Sequence, residues 1–236
     1  MFDISENKTY EITTLKAGPP HLINYIYIIV DRMTRQTAIV DPAWDAQMIK
    51  TACKELGVIP SMILLTHSHN DHINMVPELV DYYGAQVYMS RIEIEFYKFS
   101  SKNLNALNDF DHIQLGGTQI MCLLTPGHTL GGTCYLLTES LFCGDTVFIE
   151  GCGSCETVGG SAHQMYESIQ KIKRIVRPSV RIYSGHSYGE EPGSRMLGYL
   201  LTNNIYFALE HQEHFVQFRM RKNQTWKRDS GLWGKV

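Results

Sequence analysis

Thr66-His67-Ser68-His69-Asn70-Asp71-His72 is the stretch on which the chain turns. Four of its seven residues carry side chains that bind divalent metals, three imidazoles and a carboxylate, with only small polar residues between them. The run before it, Ser61-Met62-Ile63-Leu64-Leu65, is apolar like a buried strand, and residues 76–83 after it have the spacing of a helix closed by Gly84. A strand-to-helix turn at the carboxyl end of a strand is where open α/β sheets place their ligands. The bland alternative is a polar loop that happens to be rich in histidine. Four ligand-type side chains this dense, directly behind a core strand, argue against it.

Outward from this stretch the same event recurs. Residues 118–124 read as a strand that runs into Thr125-Pro126-Gly127-His128-Thr129. Residues 140–143 run into Gly144-Asp145-Thr146, and residues 180–183 into Ser184-Gly185-His186. Glycine beside the polar residue lets the backbone turn tightly and bring the side chain inward. A lone histidine after a strand is commonly an ordinary loop residue. Together the four turns single out His67, His69, Asp71, His72, His128, Asp145 and His186 as candidate site residues.

The remaining pattern alternates strands and helices. Strands are expected over 10–15, 24–30, 37–40, 86–89 and 133–138, and helices over 45–56 and 165–176. Residues 91–110 are irregular and amphipathic, which suggests a helix plus a surface loop near the mouth of the site. Residues 196–221 have helical spacing and are expected to form a helix packed on the body of the fold. Arg219, Arg221, Lys222, Lys227 and Arg228 form a basic tail, either solvated or meeting a phosphate or an acidic helix. Two halves of similar style predict an α/β fold of two sheets packed face to face with helices outside. No linker rich in Pro, Ser or charge divides residues 1–236, so one domain is expected, with the C-terminal helix and tail from about residue 194.

Composition narrows the function classes. The 236 residues, 44% hydrophobic and 19% charged, are ordinary for a globular protein with a sizeable core. A net charge of −3 gives no global argument for nucleic acid or an anionic membrane surface. No apolar run approaches a membrane span, and the polar start Met1-Phe2-Asp3-Ile4-Ser5 lacks a secretory pattern, so a cytoplasmic protein is expected. Cys122, Cys134 and Cys143 fall in strand-like apolar runs and read as core residues, and Cys53 falls in the first expected helix. Cys152-Gly153-Ser154-Cys155 is a lone C-x-x-C, which opens a redox or half-zinc-site reading without a second pair to support it. His211 and His214, at i and i+3 without a supporting carboxylate, read as surface residues, and His21, His112 and His163 read as structural.

The histidine stretch, Thr125-Pro126-Gly127-His128, Cys143-Gly144-Asp145-Thr146 and Gly185-His186, in this order, resemble the metallo-β-lactamase superfamily. Phe142-Cys143-Gly144-Asp145-Thr146-Val147-Phe148, then Gly151-Cys152-Gly153 and Met165-Tyr166-Glu167-Ser168-Ile169, are similar to its glyoxalase II-like thioester hydrolases. Asn24-Tyr25 and Ala38-Ile39-Val40-Asp41-Pro42 match the opening strands of that branch. The likeness covers about residues 10–190, and the chain as a whole also resembles the zinc-dependent hydrolases found with bacterial polyketide synthases.

This resemblance implies a four-layer αββα sandwich with a dinuclear site. It assigns His67, His69 and His128 to one cation, Asp71, His72 and His186 to the other, and Asp145 to a bridge between them. The donor count makes chemical sense by itself. Three neutral imidazoles leave an open position, as hydrolytic zinc sites require, and a carboxylate can span two cations. Mixed nitrogen and oxygen ligation suits zinc, iron or manganese alike, and the resemblance puts zinc first. The implied reaction is attack on an acyl carbonyl by a hydroxide bridging the metals, with Asp71 as catalytic proton acceptor. After Gly153 the chain reads Ser154-Cys155-Glu156, where glyoxalase II tends to place a basic and an aromatic residue that grip glutathione. That departure shifts the expected thiol carrier toward coenzyme A or an acyl carrier protein. Ser68 is disfavoured as a nucleophile because no free base is evident beside it. The alternative from a different reaction class is a mononuclear iron persulfide dioxygenase using only His67, His128 and Asp145.

Overall fold

The computed structural model describes residues 9–188 and 193–222. Its first sheet runs in the order β1 (Tyr10–Ala17), β2 (Asn24–Asp31), β3 (Thr37–Val40), β4 (Pro60–Leu64), β5 (Gln86–Ser90) and β6 (Leu104–Leu107). β1 to β3 are antiparallel neighbours, whereas β3 to β6 pair in parallel. The second sheet contains β7 (His112–Leu115), β8 (Thr118–Leu124), β9 (Thr133–Leu136), β10 (Ser140–Gly144), β11 (Arg181–Ser184) and β12 (Ser194–Met196). These are also adjacent in chain order, and only β10 and β11 pair in parallel. The helices are α1 (Ala46–Glu55), α2 (Asn70–Ile73), α3 (Val76–Tyr83), α4 (Arg91–Tyr97), α5 (Ala162–Ile175), α6 (Leu197–Asn203), α7 (Ile205–Ala208) and α8 (Gln212–Arg219).

Three apolar layers hold these elements together. Every residue of β2 is buried because the strand is covered on both faces, which explains its continuous apolar run. Tyr25, Tyr27 and Ile29 pack with Tyr135, Phe142 and Tyr183 in the layer between the sheets. Ile26, Ile28 and Val30 pack with Ile49, Leu79 and Val80 of α1 and α3. On the far side Leu141 and Ile182 meet Ile169 and Ile172 of α5, with Leu200 and Phe215. The result is the four-layer αββα sandwich that the sequence led us to expect.

Phenols crossing the central layer set the strand ends that matter. The Tyr135 hydroxyl donates to the Leu65 carbonyl at 2.8 Å, one residue before Thr66. The Tyr27 hydroxyl donates to the Ser184 carbonyl at 2.6 Å, two residues before His186. Each sheet thereby fixes the exit of a strand on the other that leads to candidate site residues.

Three segments differ from the sequence expectation. Residues 91–110 contain α4 but then form β6 instead of an open loop. With only four residues at a sheet edge, β6 is specified by its parallel register against β5, not by its own pattern. The edge strand β7, equally short, also escaped the pattern. Residues 196–221 are not one helix but three. The break at Asn204 has a clear cause: its buried amide donates to the carbonyls of Phe148 at 2.9 Å and Gly151 at 3.0 Å. Its Oδ1 accepts from Tyr206 N at 3.0 Å, which starts α7. Finally, Arg219 is not a solvated tail residue, because its Nε donates to the Gly153 carbonyl at 2.9 Å. Arg221 lies over the Phe218 ring at 3.6 Å, while Lys227 and Arg228 lie outside the described residues.

Candidate metal centre

All seven candidate residues emerge at the same edge of the sandwich. β4 delivers His67 and His69, and α2 follows at once with Asp71 and His72. His128 comes from the loop after β8, Asp145 from the end of β10 and His186 from the end of β11. Gly144 has φ +46°, and a Cβ there would stand 2.1 Å from Thr66 Oγ1, so only glycine lets β10 pass so close to the histidine stretch.

Two groups of donors form side by side. His67, His69 and His128 each offer one atom within 4.8 Å of the others, and so do Asp71, His72 and His186. Asp145 stands between the groups. Its Oδ2 is 3.5 Å from His128 Nε2, and its Oδ1 is 3.4 Å from His72 Nε2 and 3.5 Å from His186 Nε2. Within the groups the ring nitrogens of His69 and His128 are 2.9 Å apart, and those of His72 and His186 are 3.2 Å apart. Tetrahedral ligands on a zinc ion with bonds near 2.05 Å stand about 3.3 Å from one another. The spacing fits that geometry.

Hydrogen bonds on the far side of the rings decide which lone pairs face inward. His128 Nδ1 meets the Ser154 carbonyl at 2.7 Å, and His186 Nδ1 meets the Ile23 carbonyl at 2.9 Å. Carbonyls only accept, so both Nδ1 atoms carry the proton and both Nε2 lone pairs point into the site. His72 Nδ1 meets Asp41 Oδ2 at 3.0 Å, which gives the same polarity. Thr66 Oγ1 donates to Asp41 Oδ2 at 2.6 Å and so accepts from His67 Nδ1 at 3.0 Å. His67 Nε2 is then left buried with no hydrogen-bond partner, the state expected of an atom built to bind a cation. His69 differs by presenting Nδ1.

Electrostatics follow from this crowding. Burial pushes the His67 imidazole well below its ordinary pKa, and the neighbouring His72 adds to the effect. His128 is also lowered by burial, against the attraction of Asp145. His72 behaves oppositely: burial disfavours its charge, but Asp145 and Asp41 outweigh that and hold it well above the ordinary value. His186 is raised despite burial by Asp145 and its contact with Asp71. Burial alone would raise Asp71, yet His186 and His72 bring it down to about 2.

Several residues at the centre went unassigned in the sequence. Asn24 is buried, and its amide donates to the Asp71 carbonyl at 2.7 Å and to Asp71 Oδ2 at 3.2 Å. The Trp44 indole donates to Asn24 Oδ1 at 2.6 Å, which fixes the orientation of that amide. Asp41 reads in sequence as a strand stop. It is in fact another polar residue at a strand exit, so the recurring pattern extended to it. It lies in a further metal-sized group with His67 and His72, but its oxygens already accept from Thr66 N, Thr66 Oγ1 and His72 Nδ1. That makes it a hydrogen-bond partner of the candidate donors. Ser68 does have a carboxylate beside it, Glu93, whose Oε1 accepts its hydroxyl at 2.7 Å.

His21, His112, His163, His211 and His214 are exposed. Cys152 and Cys155 are free and buried, and burial raises both thiols. Among the described residues no helix is long and apolar enough to cross a membrane.

Fold and donor set together define an αββα sandwich whose histidine and aspartate groups are able to bind metal. The chain belongs to the metallo-beta-lactamase superfamily, whose sequence model matches residues 20–186. It is 49% identical over 218 residues, 92% of this chain and 96% of the relative, to the probable polyketide biosynthesis zinc-dependent hydrolase PksB of Bacillus subtilis (strain 168). It is 33% identical over 202 residues, 86% of this chain and 76% of the relative, to the hydroxyacylglutathione hydrolase of Edwardsiella ictaluri (strain 93-146). The crystal structure of ETHE1 from Myxococcus xanthus superposes with a TM-score of 0.80 at 24% identity, covering 90% of this chain and 92% of that one, a likeness of fold. The resemblances read from the motifs are borne out at the level of family and branch.

Proposed function

We propose that this protein is a metal-dependent hydrolase of acyl thioesters, acting with two divalent cations, zinc first. His67, His69 and His128 would hold one cation and Asp71, His72 and His186 the other, with Asp145 facing both groups. The observation that carries this reading is the position of Asp145, with one oxygen facing each donor group. Similarity to a probable zinc-dependent hydrolase and to a hydroxyacylglutathione hydrolase supports the reaction class. When bound, the cations supply water that ionises near neutral pH and a positive centre for the developing oxyanion.

The chain's own residues do the rest. Asn24 pins Asp71 by its backbone and its side chain, so the carboxylate is aimed before substrate arrives. With a pKa of about 2, Asp71 is ionised at neutral pH and accepts a hydrogen bond from the attacking water. A thiolate leaving group, with a pKa of about 8.5, needs little help from a general acid. The loop beside His128 presents Ser154 and the exposed Glu156, whose carboxylate would repel those of glutathione. The carrier is therefore coenzyme A or the phosphopantetheine arm of an acyl carrier protein, and polyketide acyl chains are the specific version that the Bacillus relative suggests.

The test is turnover of acyl-CoA, acyl carrier protein and acyl-glutathione by zinc-loaded protein, with thiol release as the readout. Release from the first two at rates well above the third supports the proposal. Preference for acyl-glutathione would overturn the carrier assignment. Oxygen consumption with glutathione persulfide by protein holding one iron would replace the reading with the dioxygenase alternative.

A pH dependence follows from the raised and lowered imidazoles. Protons compete with a cation at His72 and His186 already above the ordinary imidazole pKa, but at His67 and His128 only below it. Dialysis from about pH 8 to about pH 6 is therefore expected to release the Asp71–His72–His186 cation first. Zinc content per chain should fall from two toward one, and loss of both cations in a single step would contradict this order.

A further inference from the structure

Glu93 is a fully buried carboxylate on α4 that the proposed chemistry does not use. Its Oε1 accepts from Ser68 N at 2.8 Å and from Ser68 Oγ at 2.7 Å. Its Oε2 accepts from Gly131 N at 2.9 Å. Ser68 lies between His67 and His69, and Gly131 lies three residues after His128. One side chain therefore ties together the two loops that carry the three-imidazole group.

The clasp is built on both sides. Ser90 Oγ donates to the Gly131 carbonyl at 2.6 Å and accepts from Glu93 N at 3.1 Å. A Cβ on Gly131 would stand 2.2 Å from Glu93 N and 2.6 Å from Ser90 Oγ, so the loop approaches α4 as closely as glycine allows. Three donors converge on Glu93, which is what a carboxylate removed from water requires. No equivalent tie from Glu93 reaches Asp71, His72 or His186, whose supports are Asn24, Asp41 and the Ile23 carbonyl.

We infer that Glu93 is a positioning residue for the His67–His69–His128 cation and not for its neighbour. It sets the 2.9 Å approach of His69 Nδ1 to His128 Nε2 by holding Ser68 and Gly131 at fixed separation. The inference rests on the metal assignment above. Partners one shell beyond a metal commonly change its affinity about 10–100-fold when removed.

Glu93→Gln is the sharpest variant. A carboxamide can satisfy Ser68 or Gly131 through its oxygen, but its NH2 then faces a backbone N–H on the other side. Zinc is titrated into the full chain in competition with a chromophoric chelator, and each binding step is assigned by its loss in His128→Ala or His186→Ala. Glu93→Gln is expected to weaken the His128 step about 10–100-fold and leave the His186 step unchanged. Equal weakening of both steps, or of neither, overturns the inference. If Glu93→Gln loses its far-ultraviolet circular dichroism, Ser68→Ala decides instead. It removes one of the three donors and should weaken only the His128 step, and an unchanged step there overturns the inference. Failure of the unaltered chain to bind zinc at all would remove the metal assignment itself, and the inference with it.

Discussion

Asp145→Asn is expected to lower kcat/KM for an acyl thioester about 10⁴-fold and to leave one zinc per chain in place of the two proposed. The substitution keeps side-chain volume and removes only the negative charge. That charge sits in a pocket where His72, His186 and His128 all approach within about 3.5 Å, and burial gives water little part in screening it. His186 and His72 hold the carboxyl well below the ordinary range despite the opposing effect of burial, which shows how strongly the site favours an anion there. A neutral amide offers a weaker oxygen to one side and a nitrogen to the other, so it cannot span two cations. A water no longer held between the two donor groups loses its line of attack, and a misplacement of about 1 Å can alone cost about 10² in rate. Losing one centre for the oxyanion costs about another 10². Zinc analysis and thioester turnover on the same preparation check both halves. Two zinc ions per chain and more than about a tenth of the original rate would refute the bridging assignment.

The centre was legible to the extent that each donor is announced by its own strand. His67, His128, Asp145 and His186 all follow an apolar run and stand beside glycine or a small polar residue, and that grammar is local. The family resemblance then grouped the donors into sets, a step that local patterns do not supply. Asn24, Asp41 and Glu93 were harder because their meaning is relational. Asn24 reads as the first residue of a strand until Trp44 and Asp71 are brought to its two ends. Glu93 reads as one more charge on an amphipathic helix until Ser68 and Gly131 close over it. The same holds for the C-terminal segment. Its apolar spacing is helical throughout, and the break at Asn204 exists because three carbonyls of the loop after β10 lie within reach of one amide. Arg219 illustrates the reverse error, a cation assigned to solvent by its basic neighbours but drawn inward by the Gly153 carbonyl.

Gly153→Ala and Gly151→Ala, two identical changes within one Gly-Cys-Gly motif, are expected to part company by at least about 100-fold in kcat/KM. At Gly151 an added Cβ would meet only the Tyr206 ring, at 3.5 Å, an ordinary van der Waals contact. At Gly153 it would stand 2.1 Å from the Asp145 carbonyl oxygen and 2.9 Å from His128 Nδ1. Neither neighbour is free to yield. The Asp145 carbonyl already accepts from Gly153 N at 3.0 Å, His128 Nδ1 is held by the next carbonyl, Ser154, and Arg219 grips the Gly153 carbonyl from the other side. The methyl group must therefore displace the loop, and His128 moves with it out of line with His69. Overpacking of this kind costs about 1–3 kcal/mol of stability, so urea unfolding should report a loss in Gly153→Ala that Gly151→Ala does not share. The zinc titration should show the His128 step weakened in the first variant only. If both variants behave alike, the close approach of this loop does not hold His128 in place, and the motif serves the chain turn alone.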